Sequence, residues 1–238
     1  ALRSITKKGS FLHLKLRDRW KLDPSTIRTM WGISSSSLVE QIFLRVGFLM
    51  YAKAVAGLGT IEFATHNIAM QVMSITFSVG DGLSIACTAL VGHSLGAQKP
   101  YLAILYGRVS QRIGLMISLV LALMIIVFRA TIMGLFSVDP LVLSLGENIL
   151  IILAICVIFQ ISQVITIGSL RGAGDVKFVA MLSIVSVTFM RPAFTFLMAY
   201  LLGFGLYGAW FSVILDQGVR FIVSRYRFQK AEWTKIVV

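Results

Sequence analysis

Two acidic residues, Glu40 and Asp81, lie inside long apolar stretches of this chain of 238 residues. A charged side chain at the centre of a lipid bilayer costs about 2.5–3.5 kcal/mol on insertion scales, so such residues usually have a function or a partner. Burial favours the protonated form of a carboxylate, and a nearby cation favours the ionised form. Glu40 and Asp81, together with Gln41, are therefore candidates for a site that takes up and releases H⁺ or Na⁺. The alternative is a structural ion pair with Arg191 or Arg45 that only fixes helix packing.

Three further charged residues lie in the last two apolar stretches. Arg191 directly precedes Pro192, and a proline frees a backbone carbonyl one turn earlier, which predicts a kinked, polar position in a helix. Arg191 is therefore a candidate partner for the carboxylates of the cation site. Asp216 and Arg220 are four residues apart, a spacing that favours an ion pair on one helical face. We interpret that pair as structural.

Two connecting segments between apolar stretches contain closely spaced glycines, Gly92 with Gly96 and Gly172 with Gly174. Glycine allows sharp turns and lets helix ends approach one another closely. Two charged residues accompany the second glycine pair, and neither is expected to bind a substrate. We expect Asp175 to cap the following helix, where a carboxylate is favourable. We expect Arg171 to contact a lipid phosphate or Asp175.

The sequence contains none of the short motifs that would indicate an enzyme or a metal site. No HExxH, paired CxxC or phosphate-binding glycine loop of the Walker type is present, and His66 and His93 fall at opposite ends of one apolar stretch. Cys87 and Cys156 lie within apolar stretches, which argues against a disulfide framework. We therefore expect no enzymatic activity, no bound metal and no cofactor other than a coupling ion.

Six apolar stretches must position these residues, in a chain that is 57% hydrophobic. A hydrocarbon core of about 30 Å requires about 20 helical residues, and helices satisfy the backbone where water is absent. The sequence predicts an all-α membrane protein, a bundle of six transmembrane helices over residues 29–224. A basic cytoplasmic loop over 1–28 precedes the bundle and a tail over 225–238 follows it. The predicted spans are 29–57, 65–91, 109–131, 142–168, 178–202 and 206–224.

The formal net charge of +12 follows from topology rather than from nucleic-acid binding. Of the 22 basic residues, 18 fall in the segments at one predicted face of the bundle. Because basic residues concentrate on the cytoplasmic side, both termini are expected in the cytoplasm of a multi-pass protein of the cell membrane. The basic first segment is expected to contact anionic lipid headgroups.

Several short motifs follow one another along the chain: Leu38-Val39-Glu40-Gln41, Gly57-Leu58-Gly59-Thr60, Ala64-Thr65-His66-Asn67-Ile68-Ala69, Gly80-Asp81-Gly82, Ala89-Leu90-Val91-Gly92, Ser94-Leu95-Gly96-Ala97, Leu170-Arg171-Gly172-Ala173-Gly174-Asp175 and Arg191-Pro192. In this order they resemble the motifs of one family of secondary transporters, the multidrug and toxic compound extrusion (MATE) family. The resemblance extends over about residues 12–225. The matched region is similar to the second half of a twelve-helix member, spans seven to twelve, preceded by the loop between the two lobes. Glu40 matches an acidic position in the family's seventh span.

The resemblance implies a lobe of an antiporter that exports amphipathic, often cationic, small molecules in exchange for H⁺ or Na⁺. It also implies a partner, either a missing N-terminal six-helix lobe or a second copy of this chain. Two alternatives stay open. A flippase for lipid-linked sugars would require a markedly basic cavity, and a non-transporting membrane scaffold or remnant would fit a chain with only half the expected helices.

Overall fold

The computed structural model describes residues 24–235, so most of the predicted basic segment 1–28 and the end of the tail lie outside the described residues. The chain divides into two compact units, Ala1–Ser35 and Ser36–Val238. In the first unit, the described residues form the opening turns of a helix. All contacts discussed below lie within the second unit.

Helices make up the described part of the chain, which contains no strand. Six long helices follow one another in the predicted order, so the all-α fold class is confirmed. A short helix that the sequence did not predict, α4, follows the third long helix, and a 3₁₀ turn, Glu232–Lys235, follows the last. The helices are α1 (Pro24–Ala56), α2 (Thr60–Gly96), α3 (Pro100–Val127), α4 (Arg129–Phe136), α5 (Pro140–Gly172), α6 (Val176–Leu201) and α7 (Gly205–Gln229).

Most of the long helices extend beyond the predicted spans, because hydropathy marks the apolar part of a helix and local chemistry sets its ends. Pro100 and Pro140 occupy the first turns of α3 and α5, where a missing N–H costs nothing and the fixed φ suits a helix. Asp139 also caps α5, since its Oδ1 accepts a hydrogen bond from the Leu141 N–H at 2.9 Å. The expected tail 225–238 is likewise helical up to Gln229.

In the described part of the chain, four helices, α2, α3, α5 and α6, are long and apolar enough to cross a membrane. Charged residues interrupt the apolar stretches of the other two long helices, with Glu40 and Arg45 in α1 and Asp216 and Arg220 in α7. Since lipid is as apolar as a protein core, apolar side chains on the outside of such a bundle are expected. The exposed Met116 of α3 is one of many examples.

Helix α5 forms the centre of the bundle and packs against α2, α3 and α7. In its most apolar stretch 67% of the residues are buried, compared with 22% for α3. Glycines allow α2 to approach α5. A Cβ added at Gly168 would lie 2.3 Å from Ser84 Oγ, and one added at Gly172 would lie 2.4 Å from the Thr88 carbonyl oxygen.

The glycines expected in connecting loops lie mostly at helix ends. Gly92 and Gly96 belong to the last turns of α2, and Gly172 is the final residue of α5. The connections are therefore only three residues long, 97–99 and 173–175. Gly174 makes the second turn with a φ of +82°, a conformation that favours glycine. Gly92 also packs closely, because a Cβ there would lie 3.1 Å from the carbonyl oxygen of Gly172.

Helix α6 widens on both sides of Pro192. Residues Ile184–Met190 and Phe196–Leu201 are wound as π-helix and flank a short α-helical segment, Arg191–Thr195. Such wide turns are common at functional sites. Helix α1 packs against the first of them, where Thr188 Oγ1 donates a hydrogen bond to the Phe43 carbonyl at 2.8 Å. The irregularity expected at Pro192 is thus a pair of widened turns.

Candidate functional site

A cavity of about 400 Å³ opens between five helices of the bundle. Its wall contains acidic, basic and amide side chains beside apolar ones, a composition that suits a molecule with both polar and apolar parts. The lining residues are Glu40, Gln41, Leu44, Arg45 and Phe48 of α1, Met70, Met73, Ser74, Phe77, Asp81 and Ser84 of α2, Gln160, Gln163, Val164, Ile167 and Arg171 of α5, Ser183, Val187 and Arg191 of α6, and Gln217 and Arg220 of α7.

The spacing of the lining residues follows the helical repeat. On α5, Gln160, Gln163, Ile167 and Arg171 are separated by three or four residues and so lie on one face. Three of these four residues are polar, and their helical spacing is a signal in the sequence that could have identified Arg171 as a cavity residue. The sequence interpretation had instead assigned Arg171 to lipid phosphate or Asp175.

Glu40 is almost fully buried, with 2% of its surface exposed, and it faces the cavity. Arg171 donates from Nη2 to Glu40 Oε1 at 2.8 Å. The expected alternatives, pairing of Glu40 with Arg191 or Arg45, are therefore wrong. The reason is that α1 places Glu40 within reach of Arg171 at the end of α5, whereas the guanidinium of Arg191 binds Asp216 of α7. Arg171 remains 43% exposed, so this ion pair borders open space on one side.

The sequence had suggested that Arg191 pairs with Glu40 or Asp81. The structure instead pairs Arg191 with Asp216. Its Nε donates to Asp216 Oδ2 at 3.0 Å, and its Nη2 donates to the same oxygen. Arg220 donates to that oxygen at 3.3 Å, four residues along α7, and the Ser186 hydroxyl donates to Oδ1. One buried carboxylate thus serves two guanidiniums and a hydroxyl. Ser186 lies in the widened turn of α6, and nothing in the sequence indicated its role.

Gln41, Arg45 and Asp81 line the same cavity as Glu40. Within the described part of the chain, neither Arg45 nor Asp81 has an ion-pair partner. The two glycines beside Asp81 differ in how closely a neighbouring helix approaches them. A Cβ at Gly80 would lie 3.3 Å from the Ile161 side chain, and one at Gly82 would meet nothing within 4 Å.

Asp175 lies away from the cavity, at the start of α6. It makes no side-chain cap hydrogen bond, because its Oδ2 accepts a hydrogen bond from Arg227 Nε at 2.9 Å. Arg227 also donates to Glu232 Oε2 at 3.0 Å. Asp175 therefore occupies the expected N-cap position of α6 without the side-chain cap bond. Its expected pairing with Arg171 is wrong, since α7 ends beside the α5–α6 turn and supplies Arg227 as the partner.

Two buried polar atoms of the cavity wall, Gln160 Oε1 and Arg220 Nε, have no hydrogen-bond partner in the part of the chain that the structure describes. Buried polar atoms are usually hydrogen-bonded, so these two are available to a ligand in the cavity. Among the described residues, no group of three or more His, Cys, Asp or Glu side chains has an arrangement that could hold a metal ion. The wall can therefore bind a small amphipathic molecule through arginine, amide and apolar contacts, and Glu40 and Asp81 offer carboxylates to a monovalent cation.

Comparison with known proteins agrees with the helical fold. A family model described as MatE matches residues 37–197. A "Probable multidrug resistance protein NorM" from Pseudomonas putida is 29% identical over 215 residues, which is 86% of this chain and 46% of that relative. A protein of the same name from Thermotoga maritima is 24% identical over 231 residues, covering 93% of this chain and 49% of that relative.

One solved structure is described as the outward-facing conformation of a multidrug resistance MATE family transporter of the MOP superfamily. It aligns with a TM-score of 0.87 and 17% identity, and the alignment covers 98% of this chain and 53% of that one. At that identity the similarity shows the fold alone. The chain spans about half the length of the curated relatives it matches.

Proposed function

Because the chain belongs to the MatE family, we propose that it forms one lobe of a secondary transporter that exports amphipathic compounds in exchange for H⁺ or Na⁺. The relatives named as multidrug resistance proteins support this class of function. They are about twice as long as this chain, so a working carrier requires a second lobe, either an N-terminal six-helix lobe or a second copy. The carrier would lie in the cell membrane with both termini of this lobe in the cytoplasm.

The observation that carries the proposal is the position of Glu40. Glu40 is 2% exposed and lines the cavity, and its described ion-pair partner is the half-exposed Arg171 of another helix. Removing one partner of a buried ion pair leaves an uncompensated charge and is strongly unfavourable. Protonation or cation binding, in contrast, neutralises the Glu40 carboxylate while its side chain stays in place. A proton or Na⁺ arriving at Glu40 would therefore compete with Arg171 and release it.

Release of Arg171 connects cation binding to helix movement. The Glu40–Arg171 pair joins α1 to the end of α5, and α1 also contacts the widened turn of α6 through Thr188. A ligand shifts a conformational equilibrium only by its difference in affinity for the two states. Cation bound at Glu40 would favour one arrangement of α1 and substrate the other, so that each would expel its competitor. Rocking of two lobes around the site would carry the cavity across the membrane.

The test is gradient-driven efflux by the assembled carrier in proteoliposomes. Native mass spectrometry of the purified chain first decides whether a second copy supplies the other lobe or whether an N-terminal lobe must be co-expressed. Ethidium efflux is then measured under an imposed pH or Na⁺ gradient. We expect Glu40→Gln to reduce efflux to the rate of empty liposomes at unchanged protein content.

Glu147→Gln provides the matched control for that test. It makes the same change of acid to amide at a 36%-exposed position outside the cavity, and efflux should stay at the wild-type rate. Wild-type efflux from Glu40→Gln would refute the coupling role of Glu40. Absence of efflux from the wild-type assembly would favour the non-transporting scaffold.

A further inference from the structure

The cavity wall carries more positive than negative charge. Four arginines and two carboxylates line it, and a third carboxylate, Asp216, lies directly behind two of the arginines. The four arginines are Arg45, Arg171, Arg191 and Arg220. Counting Asp216 with the wall leaves one positive charge without a compensating carboxylate. A net charge in a bilayer-embedded cavity is unfavourable unless a ligand or partner neutralises it.

The ion pairs locate this excess charge. Glu40 and Arg171 pair one to one at 2.8 Å. Asp216, in contrast, accepts from both Arg191 and Arg220, so one negative charge faces two positive ones. Arg220 is 11% exposed, and its Nε has no hydrogen-bond partner within residues 24–235. A buried guanidinium with an unused donor, beside a carboxylate that is already shared, can still bind an acceptor.

Arg45 provides a second guanidinium with donors for an acceptor in the same cavity. It projects from α1 and makes no ion pair among the described residues. The remaining charged group of the wall is the Asp81 carboxylate, which is included in the charge balance. Apolar side chains, among them Phe48, Phe77 and Met73, complete the wall and offer aromatic and thioether surface to an apolar body.

We propose that this cavity binds amphipathic organic anions, with the carboxylate, sulfonate or phosphate group placed between Arg45 and Arg220. Arginine is suited to this task because its planar guanidinium can bind such groups through two parallel hydrogen bonds. The proposal rests on the proposed transport function only in naming the substrate class, and the binding it requires is measurable without transport. It reverses the charge of substrate that the family resemblance implied.

The experiment measures equilibrium binding to the purified full chain in nanodiscs of phosphatidylcholine. Three probes share one apolar body: 2-naphthoate, the neutral 2-naphthamide and the cationic 2-naphthylmethylammonium. We expect naphthoate to bind most tightly. Arg45→Gln should weaken naphthoate binding about tenfold or more, as for loss of one charged hydrogen bond, and should change naphthamide binding little. Arg45→Lys keeps the charge and should retain most of the affinity.

Lys53→Gln is the matched control, because it removes one positive charge from an exposed position of the same helix that does not line the cavity. Naphthoate binding should be unchanged in this variant. The proposal is overturned if naphthylmethylammonium binds as tightly as naphthoate, if wild-type protein does not bind naphthoate, or if Lys53→Gln loses as much affinity as Arg45→Gln. Thermal unfolding of each variant identifies any loss that reflects misfolding, and Arg45→Lys then provides the decisive comparison.

A second arm distinguishes a soluble anion from a lipid headgroup. Phosphatidylglycerol is added to the discs in steps while naphthoate binding is followed. Displacement that disappears in Arg45→Gln supports the anion site and identifies a lipid phosphate as its occupant, and lack of displacement supports a soluble anion. The two proposals can fail separately. If Glu40→Gln abolishes efflux but Arg45→Gln leaves naphthoate binding unchanged, only the anion site is refuted and the transport proposal is supported.

Discussion

Replacement of Asp216 by asparagine tests whether the Arg191–Asp216–Arg220 cluster holds the bundle together. Asp216 is fully buried and accepts hydrogen bonds from both arginines and from Ser186. Asparagine has nearly the same shape but no charge, so Asp216→Asn leaves two guanidiniums beside each other. Arg191 is itself only 2% exposed, so its charge stays largely shielded from water.

The size of the effect follows from this burial. Removing one partner of a buried ion pair destabilises a protein by about 3–5 kcal/mol, because the remaining charge stays buried without compensation. A chain of this length loses about 2–4 °C of melting temperature per kcal/mol. Asp216→Asn should therefore lower the melting temperature by about 6–20 °C. Adding Arg191→Gln to that variant should cost much less than Arg191→Gln alone, because the two residues act as one pair.

Thermal unfolding of the purified chain in detergent, followed by tryptophan fluorescence, measures these shifts. Glu147→Gln is again the control, since Glu147 and Arg129 form an exposed ion pair at 3.6 Å. Pairs of that kind contribute about 0–1 kcal/mol, which corresponds to about 0–4 °C. If Asp216→Asn melts within the range of this control, or if the double variant shows simple additivity, the cluster does not stabilise the fold as we infer.

Two further predictions concern packing at the ends of helices. Gly172→Ala should lower the melting temperature by about 2–12 °C, because its Cβ would lie 2.4 Å from the Thr88 carbonyl. Gly96→Ala should leave it unchanged or raise it, since nothing lies within 4 Å of that Cβ, and equal losses would contradict the proposed contact. Phe228→Ala should cost about 3–5 kcal/mol, because the ring is buried and stacks on a second aromatic ring at 5.2 Å. Arg227→Gln breaks an ion pair with the buried Asp175 but removes no core side chain. It should cost less than Phe228→Ala, and denaturation curves that reverse this order would refute the assignment.

The order of the long helices was predictable, because each apolar stretch is a local property of the sequence. The residues at which the helices begin and end were less predictable. Pro100 begins its helix well before the predicted span 109–131, whereas Pro140 begins its helix close to the start of the predicted span 142–168. The break at Phe128 between α3 and α4 was missed, because no glycine or proline marks it and the apolar stretch continues across it.

The membership of the site was easier to predict than its pairing. Glu40, Gln41, Asp81 and Arg191 were all selected as charged or polar residues in apolar stretches, and all four line one cavity. Their roles in transport remain predictions. Their positions in apolar stretches identified them as buried polar residues, but a position along one helix does not decide which side chains meet.

The sequence by itself determined that lipid surrounds the chain, which stretches become helices and which few charges must be buried among them. Those properties follow from composition and from the spacing of neighbouring residues. The tertiary structure alone decided that Asp216 takes Arg191 and that Glu40 takes Arg171. Each of these pairs joins two helices, so it depends on the rotation of each helix about its axis and on its neighbours in the bundle, which no local pattern encodes.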